Sequence, residues 1–189
     1  MSLTDILVPT AVQMLGALSA WLDKGASYAE ERGDKADDLL ALRLAPDMYP
    51  LAGQVRFAAF MAQEPVHRLR GEAPPEHLEE VRREGWISGE KPGTLLDARS
   101  RIDDALILLR SVGSGELAVA ADRPIALELP NGIVFDMVGS SYVRDWALPQ
   151  FYFHLITAYA ILRNHGVSLG KIDYVPHMFA YARPGTIPG

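Results

Sequence analysis

Apolar residues recur at three- and four-residue spacing in four long stretches of this chain, the mark of helices that each bury one face. In the first stretch Leu7, Ala11, Met14, Leu18, Trp21 and Leu22 form the inward stripe of a helix from about Ser2 to Arg32. Ser2 and Asp5 have the spacing of a capping box at its start. Pro9 lies too deep for a first-turn proline and predicts a kink or a later start. Ile6, Val12 and Leu15 widen the apolar surface, a surplus that suits a second buried face such as a dimer contact. Gly33 and Asp34 end the helix. A turn-rich segment, Arg43-Leu44-Ala45-Pro46-Asp47-Met48-Tyr49-Pro50, then leads into a second helix from near Leu51 to about Arg70. Its core face is Leu51, Val55, Ala58, Ala62 and Leu69; Pro65 is expected to kink its last turns, and Gly71 stops it.

After a stretch rich in Pro, Gly and charge, with a short helix around 76–84, Thr94 and Asp97 repeat the capping-box spacing. The third long helix carries Leu95, Ala98, Ile102, Ala105, Leu106, Leu109 and Val112 inward, with Arg99, Asp103 and Arg110 opposite. Two β-prone runs, 125–129 and 133–137, flank Pro130-Asn131-Gly132, and an Asn-Gly pair so placed signals a hairpin. The last helix runs from about Ser141 to Asn164, with Pro149 inside it and Gly166 as its stop. The sum is a mostly α fold, a four-helix bundle with a small β-hairpin before the last helix, in one domain over residues 1–189.

Composition narrows the chemistry. Eighteen Lys and Arg against 24 Asp and Glu leave a net charge of −6, which argues against nucleic acid or a membrane surface as partner. There is no cysteine, so disulfides, thiolate metal sites and a cysteine nucleophile are excluded, and a metal would rest on five histidines and the carboxylates. The apolar run from Ile6 to Leu22 has no basic leader before it and includes Pro9, Thr10, Gln13 and Ser19. It reads as the buried helix of a soluble cytoplasmic protein rather than a signal peptide or a span.

Three motifs have plain explanations. Gly113-Ser114-Gly115-Glu116-Leu117-Ala118 has the letters of a dinucleotide loop but follows a helix instead of a strand, so it is expected to be a helix-to-hairpin connection. Glu64-Pro65-Val66-His67 matches one Glu-x-x-His unit of a di-iron bundle; the chain has no second unit, and a solvated helix end is expected. His165 sits at a helix C-terminus, where a histidine suits the dipole, and His77 and His177 fall in loop or tail. Arg43 and Asp47, four residues apart, predict an ion pair or cap.

His154 differs from the other four. It stands among Phe151, Leu155, Ala158, Ile161 and Leu162 and so faces the bundle, with Gln150 one turn earlier on the same face. On the second helix Gln54 stands among Leu51, Val55 and Ala58. A buried donor or acceptor without a partner costs about 1–3 kcal/mol. Gln54, Gln150 and His154 are therefore expected to meet in a polar cluster, with Tyr159 or Asp47 nearby. Such a cluster either locks the helix register or lines a ligand pocket.

Two stretches, Arg43 through Leu51 with Gln54, and Ala147-Leu148-Pro149-Gln150-Phe151-Tyr152-Phe153-His154 through Thr157 to Arg163, Gly166-Val167 and Leu169-Gly170-Lys171, resemble the bacterial domain-of-unknown-function family 1993. That family is similar in turn to the DinB/YfiT-like four-helix bundles, often dimeric and often with a three-histidine metal site. The resemblance implies one metal histidine on the second helix and a His-x-x-x-His pair on the last, upstream of a Leu-Arg…Gly-Val ending. Leu162-Arg163 and Gly166-Val167 supply that ending. Counting back places His154 at the second member of the pair, Gln150 at the first, and Gln54 at the helix-two position. Only His154 matches.

A glutamine amide is a weak ligand for zinc or nickel, so no metal and no other cofactor is expected, and the relatives' metal-dependent thiol-transferase chemistry does not carry over. The expectation is a homodimer with a degenerate polar pocket, Gln54, Gln150, His154, Asp47 and Tyr159 its candidate residues, open to a small molecule. The alternatives are a DinB/YfiT-type metal-dependent hydrolase or thiol transferase using His154, and a structural or partner-binding module.

Overall fold

Ser2 and Asp5 exchange the two capping-box hydrogen bonds: the Ser2 N–H donates to Asp5 Oδ2 at 2.9 Å and the Asp5 N–H to Ser2 Oγ at 3.2 Å. From this cap, helix α1 runs unbroken over Leu3–Glu31 in the computed structural model, which describes residues 1–186. Pro9 neither delays nor interrupts it. The proline and the Asp5 carbonyl it leaves without a helical donor both lie on the exposed side, where water serves instead. By length and composition alone α1 could cross a membrane. In the fold its Leu7, Leu15, Leu18, Trp21 and Leu22 are buried in the core, and of the surplus apolar residues Ile6 and Val12 stay partly exposed.

Helix α2 (Leu51–Arg70) is the central element, with 17 of its 20 residues buried, and it packs against every other long helix. It continues through Pro65 to Arg70 and ends at Gly71, whose φ of 79° is the left-handed stop that glycine supplies. The segment that follows forms α3 (Glu76–Ile87), longer than the short helix expected there. Glycines allow α3 to lie close on α2. A Cβ at Gly53 would fall 2.6 Å from Ser88 Oγ, and one at Gly85 would fall 2.5 Å from the Phe57 ring.

Thr94 and Asp97 cap α4 (Leu95–Ser111) in the same reciprocal way as α1, at 2.8 and 3.1 Å. The glycine-rich stretch after α4 is a turn in which the Gly113 N–H donates to the Glu116 carboxylate at 2.7 Å. Strands β1 (Pro124–Glu128) and β2 (Val134–Val138) pair antiparallel with Ala126 opposite Asp136, and Gly132 turns the loop at φ 84°. Ile125 and Leu127 point into the core, while β2 is almost wholly exposed.

The last helix starts as one turn at Gly139–Ser141, opens into a π-helical stretch at Tyr142–Ala147, and continues as α5 (Leu148–Asn164). Pro149 accounts for the opening. It lacks an N–H and its ring excludes the carbonyl four residues back, so the preceding turn widens rather than holding α geometry. Beyond Gly166 the chain crosses α1 in α6 (Lys171–Tyr174) and a 3₁₀ turn at Pro176–Tyr181. There Trp21 Nε1 donates to the Asp173 carbonyl at 2.8 Å, and Lys24 meets the Asp173 carboxylate at 2.6 Å.

Candidate functional site

Of the residues expected to cluster, the structure brings two together. His154 Nδ1 lies 2.9 Å from Gln54 Oε1, joining α5 to α2 across 100 positions of sequence. The Gln54 amide donates through Nε2 to the Tyr49 carbonyl at 3.1 Å, so Oε1 faces the imidazole and His154 must donate from Nδ1. Nε2 of His154 is then the bare, accepting nitrogen. Burial drives the imidazole pKa down to about 4, so the ring is neutral at neutral pH. Phe57 flanks it at 5.0 Å and Phe153 at 5.2 Å between ring centroids.

The other three candidates lie elsewhere. Gln150 is half-buried and bonds neither Gln54 nor His154. Asp47 is exposed. Among the described residues it forms no ion pair, and Arg43 donates to the Met48 carbonyl instead. Tyr159 is five residues beyond His154, about 140° round the helix. It joins an aromatic cluster with Trp21 at 5.4 Å and Tyr174 at 5.9 Å, on the face turned toward α1 and the C-terminal segment.

His154 forms part of the wall of a cavity of about 280 Å³. The floor is one stripe of α2, Phe57, Phe60, Met61, Glu64 and Arg68, at helical spacing. Arg82 and Trp86 of α3 form one side, His154 and Trp146 the other, Tyr49 stands beside Phe57, and the hairpin residues Leu127–Pro130 close over the end. The π-helical stretch contributes here twice: it carries Trp146 to the cavity and Tyr142 beneath it.

At the other end of the α2 stripe lies an ionic cluster that the helix-end reading of Glu64 missed. Glu64 is 3% exposed instead of solvated. Its Oε1 accepts from Arg68 Nε and Nη2, both at 2.8 Å, and its Oε2 accepts from the Tyr142 hydroxyl at 3.3 Å. Burial and the Glu64 charge together hold the Tyr142 phenol well above its ordinary pKa, so it stays a donor. For Arg68 burial is the largest single influence and lowers the pKa, but the Glu64 charge and hydrogen bond, with smaller help from Tyr142 and Glu79, together outweigh it and hold the guanidinium above its usual value. Packing of the last helix over α2 makes this a core site, and no local pattern around Glu64 signals it. The clue available was helical spacing, which puts Glu64 and Arg68 on one face with Phe57 and Met61.

The remaining histidines lie away from the cavity. His67 bonds Glu72 at 3.1 Å, and His165 Nε2 meets the Arg43 carbonyl at 3.1 Å; His77 is exposed on α3 and His177 lies in the 3₁₀ turn. Among the described residues no group of three or more His, Asp or Glu side chains is placed to hold a metal. One imidazole beside an amide already spent on hydrogen bonds does not fit a transition metal.

The pattern of the family described as domain of unknown function DUF1993 matches residues 3–175. The chain belongs to that family. Among solved structures, the DUF1993 chain is similar to a DinB family member protein from Shewanella denitrificans. The two are 33% identical with a TM-score of 0.76, the match covering 98% of this chain and 96% of that one. The likeness agrees with the DinB-like bundle expected from the Leu162-Arg163…Gly166-Val167 ending and the residues before it. No curated protein matches.

Proposed function

We propose that this DUF1993 protein binds a small molecule in the cavity beside His154, using hydrogen bonds and aromatic surface rather than a metal. The observation that carries the reading is the state of His154: partly buried and neutral, its Nδ1 held by Gln54 and its Nε2 left to accept. A histidine needed only to lock two helices could be enclosed, whereas this one borders a cavity with five aromatic neighbours, Tyr49, Phe57, Phe60, Trp86 and Trp146. Thermal melts across a metabolite library test it. Binders should raise the melting temperature of the native protein and lose that effect in His154→Phe. Elemental analysis of untagged protein tests the metal-dependent alternative, and stoichiometric zinc or nickel that disappears in His154→Ala would overturn the proposal.

The same reading places the protein in the cytoplasm, with α1 as a core helix, and as a homodimer. For the dimer, support comes from α5, whose outer face shows Pro149, Phe153 and Ile156 to solvent at helical spacing. Light scattering at micromolar concentration should give twice the chain mass, and Phe153→Glu should halve it. A monomeric native protein would refute this part.

A further inference from the structure

Farther round α2 from the His154 cavity, a second cavity of about 500 Å³ lies where α2, α3 and α4 come together. Gln63 and His67 stand one turn apart on α2, His77 lies at the start of α3, and Asp104, Ile107 and Leu108 form the α4 side with Arg101. The His154 cavity shares none of these residues. Gln63 is the group that sets this place apart from an ordinary cleft. It is 4% exposed, and its Nε2 donates back to the Ala59 carbonyl at 3.1 Å. Its Oε1 receives no donor among the described residues. That oxygen is nonetheless open, since the unpartnered side-chain atoms sealed from solvent among those residues are Arg82 Nε, Arg99 Nε and His177 Nδ1. An acceptor in so buried a side chain calls for a donor that reaches it from the cavity.

The surrounding charges call for the same thing. Glu84 is engaged: it accepts from Arg101 Nη2 at 2.5 Å and Nε at 3.1 Å, and from Arg56 Nε at 3.3 Å. Asp104 and Glu80 are not. Asp104 Oδ2 stays 3.8 Å from Arg101 Nη1, beyond a hydrogen bond, and the α3 arginines pair with Glu79 and Glu76 and leave Glu80 alone. The Glu84 hydrogen bond, with the charges of Glu84, Glu80 and Asp104, outweighs burial and holds the Arg101 guanidinium above its ordinary pKa. His67 Nδ1 meets a further carboxylate, Glu72, at 3.1 Å, and the Ser111 hydroxyl donates to the Leu108 carbonyl at 2.6 Å. An anion drawn to the free Arg101 Nη1 would therefore meet Asp104 and Glu80. A metal ion fits no better, because among the described residues no three His, Asp or Glu side chains converge. A positively charged donor satisfies both the open carboxylate and the open amide oxygen.

We infer that this second cavity binds a primary alkylamine, its ammonium donating to the Asp104 carboxylate and Gln63 Oε1 and its methylene chain lying along Ile107 and Leu108. Ile107 is 67% exposed and stands one turn from Asp104, where a chain attached to the ammonium would cover it. Pentylamine, pentan-1-ol and pentanoate carry similar chains on three head groups. Each is titrated into the native protein at pH 8 and low salt, with two-dimensional amide NMR reading both affinity and place. Pentylamine should give saturable shifts at the Gln63 side-chain amide and at Asp104, Ile107 and Leu108. It should bind about tenfold tighter than pentan-1-ol, with pentanoate weakest. Asp104→Asn, an exposed change, should weaken pentylamine about fivefold and leave pentan-1-ol unchanged. Asp103→Asn removes a neighbouring exposed carboxylate outside the cavity and should change neither.

Equal binding of amine and alcohol would overturn the ligand class. Shifts spread over the acidic surface, or an equal loss in Asp103→Asn, would mean general attraction to an acidic chain and overturn the site. Saturation that leaves the Gln63 amide unshifted would overturn the role of Gln63. No saturable shift from pentylamine would overturn the inference outright. None of these outcomes bears on the His154 cavity, which the metabolite melts test separately.

Discussion

Two polar places lie on one face of α2, ten residues and about 15 Å apart, and they are built on opposite principles. At Gln54 the partner is a neutral imidazole, and the pair can be dismantled without leaving a bare charge. At Glu64 the partner is a guanidinium with a phenol beside it, so removal of either ion strands the other in a mostly dry environment. The neutral pair borders the cavity with a nitrogen free to accept, whereas the ionic cluster has its groups engaged with one another. Adaptability toward a ligand thus lies at the His154 end and rigidity at the Glu64 end.

The largest effect should come from breaking the ionic end. Glu64→Ala is expected to cost about 3 kcal/mol, because Arg68 and the Tyr142 hydroxyl lose their shared acceptor. Urea unfolding measures it, and the double change Glu64→Leu with Arg68→Met should cost less than Glu64→Ala alone. If the two cost the same, the cluster is not coupled.

Acid should then act on the neutral end. His154 titrates near 4 in the fold against about 6.5 unfolded, so between those values the unfolded chain binds the extra proton and stability falls as the pH drops. The loss is on the order of 3 kcal/mol by pH 4. His154→Asn keeps a donor near Gln54 and removes the titration, so its stability profile should be flatter over that range. An unchanged profile would sink the assignment.

Gln54→Leu is a smaller perturbation, about 1–2 kcal/mol, since the His154 Nδ1–H and the Tyr49 carbonyl each lose a neutral partner and the imidazole can change tautomer. Its signature is therefore loss of library binders at nearly native stability. Asp47→Asn should be smallest, within about 0.5 kcal/mol and without effect on binding, as expected for an exposed carboxylate off the cavity. A clear loss of ligand response in that variant would return Asp47 to the site.

The two ends also differ in how far the chain announces them. His154 and Gln54 are polar residues inside apolar stripes, and their need for partners is readable from spacing alone; their mutual bond follows once α2 and α5 are adjacent. Glu64 carried the same signal on the same face, but Pro65, His67, Arg68 and Arg70 around it resemble a frayed, solvated helix end. What buries Glu64 is the last helix, whose π-helical stretch sets Tyr142 against it from 78 positions away. Tyr159 failed as a candidate for an angular reason, being round the helix from His154.

Local rules determined the helices, their caps at Ser2 and Thr94, the stop at Gly71 and the hairpin turn at Gly132, since each depends on backbone chemistry within a few residues. Membership in a DinB-like bundle was also written locally, in the residues around His154 and the ending after it. Tertiary structure alone decided which polar groups are dry, that Arg82 stands between two aromatic rings with an unmet donor, and that α2, α3, the π-helical stretch and the hairpin enclose one cavity. Burial and hydrogen-bond satisfaction belong to pairs of surfaces brought together from distant parts of the chain, and no window of sequence contains both members of such a pair.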